Sequence, residues 1–133
     1  MSHYIIVSFE TRKPELSPAE FKDYYDNVHV PVIQEAMGSS FPKSHARYYV
    51  KQQSEDPNNA NSTLPLVLIG SVADIDYDAL VIMTFENRQQ FLEFQTKYGE
   101  PDIAAKIGAS ADKFTIQSKL KVIGLDHPHI TFG

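Results

Sequence analysis

A chain of 133 residues with 42% hydrophobic content can bury a real core as one domain, and no second domain is expected. A formal charge of −5, without any run of lysine or arginine, argues against a phosphate-backbone partner, so no nucleic acid is expected to bind. The absence of cysteine excludes disulfides, thiolate metal sites and cysteine nucleophiles.

The opening MSHYIIVSFETRK has too short an apolar run, and no basic leader, for a secretory signal. No segment approaches the ~18 apolar residues of a membrane span, so a cytoplasmic protein without a membrane partner is expected. Tyr4 to Thr11 is rich in β-branched and aromatic residues, with apolar groups on both faces, and predicts a central strand. Ser17, Pro18 and Glu20 form a capping-box pattern that starts a helix near Pro18. Phe21, Tyr24, Tyr25, Val28 and Val32 then recur at helical spacing, with Lys22, Asp23, Asp26 and Asn27 largely opposite. His29 borders the apolar stripe. Pro31 lacks a backbone donor and biases Val30 away from the helical region, so the helix is expected to kink there or end just before it.

Gly38 to Pro42 punctuates the chain, and His45 to Gln52 predicts a second strand, with His45, Arg47, Tyr49 and Lys51 alternating against Ala46, Tyr48 and Val50. Gln53 to Thr63 is polar and aperiodic, as expected of a mobile loop. Leu64 to Val72 is apolar enough for a strand, with Pro65 and Gly70 against it. Asp74, Asp76 and Asp78 precede Ala79 to Phe85, the clearest buried strand. Asn87 caps a helix carrying Phe91, Phe94, Gln95 and Tyr98; Gly99-Glu100-Pro101 ends it. A further helix from Pro101 to about Ala111 carries Ile103 and Ile107, and Lys119 to Leu125 is the last strand. The tail from Asp126 lies beyond these elements, free to cross onto a partner.

The order is the βαββαβ pattern of an α+β, ferredoxin-like antiparallel sheet with helices on one face. Such a sheet leaves its other face needing a cover, and a second copy meeting it sheet to sheet would supply one. A homodimer is therefore expected.

Among the candidate site residues, His29 comes first, because an imidazole near its usual pKa of ~6.5 exchanges protons at cellular pH without a cofactor. The same position also suits a hydrogen-bonded core histidine. His45, Arg47 and Tyr49 share one face of their strand. That row either lines a cavity, with Arg47 holding a carboxylate or enolate and His45 and Tyr49 donating hydrogen bonds, or it forms the solvent side. Tyr24, Tyr25, Phe85, Phe91 and Phe94 suit the wall of an aromatic cavity, or a plain core. The aspartates at 74, 76 and 78 and the tail residues His127 and His129 lack further ligands, so no metal is expected. No Gly-x-Ser-x-Gly elbow, phosphate loop or dinucleotide fingerprint is present, which leaves proton chemistry in a dry pocket.

The opening strand, LSPAEFKDYYDNVHVP with its His-x-Pro ending, SHARYY, DYDALVIMTFENRQQF and KFTIQSKLKVI, taken in this order, resemble the EthD-type dimeric α+β barrels, in particular small fungal members found beside biosynthetic enzymes. The resemblance covers about residues 4 to 123; the insert around Asn58 and the tail with His127 and His129 depart from it. It implies a homodimer with a small-molecule cavity in each subunit, and adds to the case for His29. The function expected is a cofactor-independent tailoring enzyme, a lyase or cyclase, acting on a small aromatic or polyketide-derived substrate by acid–base chemistry. Catalysis would fall to His29, His45 and Arg47, and substrate binding to Tyr25, Tyr49, Phe85 and Phe91. The alternatives are a non-catalytic carrier of such a molecule and a cofactor-free or haem-dependent oxygenase. Related barrels span many reactions, so the fold alone does not choose among them.

Overall fold

The computed structural model describes residues 3–133. Four strands, β1 (Tyr4–Glu10), β2 (Ser44–Tyr49), β3 (Ala79–Phe85) and β4 (Lys121–Leu125), form one antiparallel sheet in the order β2-β3-β1-β4. β1 and β3 are central, as their β-branched composition leads one to expect. The connections are α1 (Pro18–Tyr24) running through a π-helical turn (Tyr25–His29) into α2 (Val30–Met37), and then α3 (Arg88–Tyr98) and α4 (Pro101–Ala111). This is the anticipated ferredoxin-like α+β arrangement, with the helices on one face.

Register fixes which residues look toward the helices. Ser8 of β1 faces Val81 of β3 and Val122 of β4, and Val81 faces Arg47 of β2. Because side chains alternate, Ile6, Ser8 and Glu10 share the helix side with His45, Arg47, Tyr49, Ala79, Val81, Met83 and Phe85. Phe21, Tyr25, Val30, Ala79, Val81 and Phe114 form the main core cluster, and Ile33, Ala36, Met37 and Ile107 a second one between α2 and α4.

The first helix departs from the expectation at the proline. The Ser17 capping box forms as anticipated: its side chain accepts from the Glu20 N–H, and the Glu20 carboxylate accepts from the Ser17 N–H. The chain does not leave the helical region at Val30, whose φ and ψ are −60° and −46°. Instead the Val30 N–H reaches back five residues to the Tyr25 carbonyl, and the widened turn accommodates the Pro31 ring against the preceding turn. One extra residue in that turn also shifts the buried stripe. Phe21, Tyr25, His29, Ile33 and Met37 face inward, whereas Val28 is 41% exposed and Val32 only half-buried.

Leu64 to Val72 is not a strand. It makes one isolated bridge, Gln52 to Pro65, and leaves Leu68 and Ile69 almost fully exposed. Pro65 has no N–H for a ladder, and Gly70 sits at φ 113°, which breaks an extended run. Residues 53–63 hold two short 3₁₀ turns, the second capped by Asp56. β2 stops at Tyr49 and β4 starts at Lys121, each shorter than the periodicity suggests. Asp78 is tied to the backbone N–H and guanidinium of Arg12, and Asp76 pairs with Lys121 at 3.5 Å.

Candidate active site

The sheet floor and the helices enclose a cavity of about 420 Å3. Ile6, Met83, Ile33, Phe91, Phe94 and Ile107 give it an apolar wall, while Ser8, Glu10, Tyr25, His29, His45 and Tyr98 bring polar atoms.

His29 is 6% exposed and reaches this cavity only because of the π turn. Its Nδ1 lies 2.9 Å from Ser110 Oγ on α4, and Ser110 is also 3.3 Å from the Tyr24 hydroxyl. The ring packs between Phe114 at 4.8 Å and Tyr25 at 5.5 Å, centroid to centroid. With Nδ1 engaged, Nε2 is the nitrogen left for a ligand. Burial, and secondarily the proximity of His45, brings the His29 pKa down from 6.5 to about 4.

His45 enters the same cavity from β2, with Phe41 stacked on it and Tyr25 edge-on. Arg47 Nη1 is 3.0 Å from His45 Nδ1. A guanidinium only donates, so Nδ1 is the acceptor and the neutral ring carries its proton on Nε2. Burial and then the Arg47 charge lower the His45 pKa to about 4. At neutral pH the cavity thus holds two uncharged imidazoles.

Arg47 and Tyr49 share the helix-facing side with His45 but do not line the cavity. Both close on Asp26 of the π turn: Arg47 Nε is 2.7 Å and the Tyr49 hydroxyl 2.6 Å from Asp26 Oδ1. Burial alone would raise the Asp26 pKa, but these two hydrogen bonds and the Arg47 charge hold it below its usual value. For Tyr49, burial and the Asp26 contact push the phenol well upward. The cluster pins the π turn to β2. Tyr25 and Phe91 line the cavity, whereas Phe85 is fully buried behind it, supporting Phe91 at 5.3 Å and Phe94 at 5.1 Å.

Two groups escape the sequence reading. Glu10, at the end of β1, presents its carboxylate to the cavity, with Oε2 accepting from Ser8 Oγ at 3.1 Å and from the Tyr25 hydroxyl at 3.2 Å. Burial raises its pKa, and these hydrogen bonds oppose the rise. The Tyr25 phenol is raised well above its ordinary value by burial and by Glu10. Glu10 could have been found from its phase: it follows Ile6 and Ser8 at alternate positions. Ser110 falls three residues after Ile107 on the inner stripe of α4.

The family model for the EthD domain matches residues 13–118. The chain belongs to the EthD family. Among solved structures, an ethyl tert-butyl ether D (EthD) family protein of Bacillus halodurans C-125 is 14% identical with a TM-score of 0.55, over 94% of this chain and 99% of that one. An EthD-like protein of Ralstonia eutropha JMP134 is 15% identical with a TM-score of 0.50, over 92% of each chain. SnoaB, a cofactor-independent oxygenase from Streptomyces nogalater, crystallised as a mutant, is 10% identical with a TM-score of 0.53, over 98% of this chain and 97% of that one. These likenesses establish the EthD-type fold. No curated protein matches the chain. No helix among the described residues is long and apolar enough to cross a membrane.

Proposed function

We propose that this EthD protein is a cofactor-independent tailoring enzyme that acts on a small aromatic or polyketide-derived molecule by acid–base chemistry, through dehydration, ring closure or decarboxylation. The observation that carries this reading is the pair of neutral imidazoles, His29 and His45, in one largely apolar cavity. His29 Nε2 takes a proton from a carbon acidified by adjacent carbonyl groups. The ring is fixed for this by Ser110, Phe114 and Tyr25. The His45 Nε2–H donates to the oxygen on which negative charge collects. A base held near 4 stays unprotonated and available, and it suits a carbon acid that is itself strongly activated. The apolar wall keeps water from competing. Arg47 and Tyr49 act through Asp26, which holds β2 and the π turn in register.

The reading includes a homodimer. The sheet face away from the helices carries Ile5, Phe9, Leu80, Ile82, Ile123 and Leu125, partly or largely exposed in the single chain and an apolar surface of the kind a second copy covers. The exposure of Ile130, 67%, and Phe132, 86%, supports a tail that crosses onto that copy. Ile82→Glu should give monomers by light scattering, and a variant that stays dimeric removes this assembly from the proposal.

The catalytic test is to incubate the protein with activated 1,3-dicarbonyl and hydroxyanthracenone compounds and follow product mass. Loss of water or carbon dioxide, abolished by His29→Ala in a protein that still folds, is the expected result; turnover by His29→Ala at the native rate overturns the role of His29. Gain of oxygen would instead favour the second reading, cofactor-free oxygenation, which draws on the fold shared with the oxygenase SnoaB. Binding without turnover, indifferent to His29→Ala, would make the protein a carrier, and visible absorbance of the purified protein would point to haem.

A further inference from the structure

Among the described residues, Glu10 is the only carboxylate lining the cavity, and no lysine or arginine lines it. The guanidinium of Arg12, two residues along the chain, is engaged by Asp78 and that of Arg47 by Asp26. Facing Glu10 are Ser8 from its own strand, Tyr25 from the π turn and Tyr98 from α3, with the uncharged rings of His29 and His45 in the same enclosure. Both protein hydrogen bonds fall on Oε2, one from the sheet floor and one from the helix, which fixes the carboxyl plane and leaves Oε1 for a ligand.

We propose that Glu10 reads the ligand: its open oxygen accepts the hydrogen of a phenolic or enolic hydroxyl, so that the cavity selects uncharged hydroxylated rings over carboxylates. The inference rests on the reading of this cavity as a small-molecule site and narrows it, because decarboxylation of a free acid drops out. A desolvated carboxylate gains most from an O–H donor, whose hydrogen bond to it is short and charge-assisted. A ligand carboxylate would meet Glu10 as a like charge with no cation beside it to offset the loss of water. The ring of the ligand meets Phe91, Phe94 and Met83, which supply apolar contact without charge.

The test uses three probes of one size, 2-naphthol, naphthalene and 2-naphthoate, titrated at neutral pH against the wild-type protein and Glu10→Gln by the fluorescence of the probe. Wild type should bind 2-naphthol about tenfold or more tightly than naphthalene, as a hydrogen bond to a charged group allows, and bind 2-naphthoate more weakly than either. In Glu10→Gln the preference for naphthol should fall to about threefold or less while naphthalene binds at least as well and naphthoate improves, because only a neutral acceptor remains. Retention of the full naphthol preference in Glu10→Gln, or wild-type binding of naphthoate as tight as that of naphthol, overturns the role of Glu10 but leaves the cavity reading standing. Failure of wild type to bind naphthalene and naphthol alike overturns both. If Glu10→Gln does not fold, the wild-type protein alone decides: the preference for naphthol over naphthalene should grow as the pH is raised through the ionisation of Glu10, which burial lifts above 4.5, and a flat ratio refutes the proposal.

Discussion

Replacing His29 by glutamine should remove about 3 kcal/mol of acid-induced destabilisation. The ring is 6% exposed and its pKa falls from 6.5 to about 4, chiefly through burial. In the unfolded chain it protonates below 6.5, whereas in the folded protein it stays neutral until about 4. Between those values the unfolded state binds the extra proton, so stability falls as the pH falls. A depressed folded-state value means that the contribution is fully present above 6.5 and is lost as the pH drops through about 4. That displacement, at about 1.4 kcal/mol per pH unit, comes to about 3 kcal/mol. His45 loses stability in the same window, and each ring's charge opposes the other, so the second proton is the harder one to add. The assay is urea unfolding of wild type and His29→Gln at stepped pH, with fixed salt and protein concentration. The amide can still reach Ser110, and any constant offset between the proteins cancels in the pH slope. Wild type should lose stability more steeply than the variant from about pH 6.5 down to about 4. Parallel curves would show that the ring is not desolvated in the folded state, and the account of it as a neutral base in a dry cavity would fail.

Glu10 gives a prediction of opposite sign. Burial raises its folded-state pKa above 4.5, so its contribution is present below 4.5 and lost as the pH rises through the raised value. Glu10→Gln should therefore melt higher than wild type at neutral pH, with the difference closing below 4.5, and thermal melts across that range decide it. Asp26→Ala should cost about 1–3 kcal/mol in urea unfolding, because it strands a half-buried guanidinium and a phenol. It should also lower the His45 pKa further, since the Arg47 charge would then act on that ring unopposed; an unchanged imidazole titration by NMR contradicts the network. Phe114→Ala should cost about 3–5 kcal/mol, as its fully buried ring touches Phe21, Tyr24, Tyr25 and His29. A loss under about 1 kcal/mol would mean that the cavity's support lies elsewhere.

Much of the fold is legible because its elements obey simple periodicities. Ala79 to Phe85 reads as a buried strand and is one, paired on both sides by β1 and β2. The Ser17 capping box and the Asn87 cap mark helix starts that the chain uses. Leu64 to Val72 has the hydrophobicity of a strand, but Pro65 and Gly70, the two residues that stand against it in the sequence, prevail. A strand needs a neighbouring ladder, and an interior proline with a left-handed glycine denies it one.

The candidate site is harder to read, because its two decisive placements come from local departures from regularity. A strict 3.6-residue stripe sends Val28 and Val32 inward and leaves His29 at the border. The single added residue of the π turn reverses this, burying His29 and exposing Val28. No period count detects one inserted residue; Pro31, lacking an N–H, was the available sign that the hydrogen-bond ladder had to shift. Glu10 breaks the other rule, placing a carboxylate on the covered side of a central strand, where apolar residues cost less. Both departures lower stability, one by stretching a helix and the other by desolvating a charge, and both deliver a titratable group to the same cavity. Packing alone would have removed them, which argues that the cavity and not the core set these two positions.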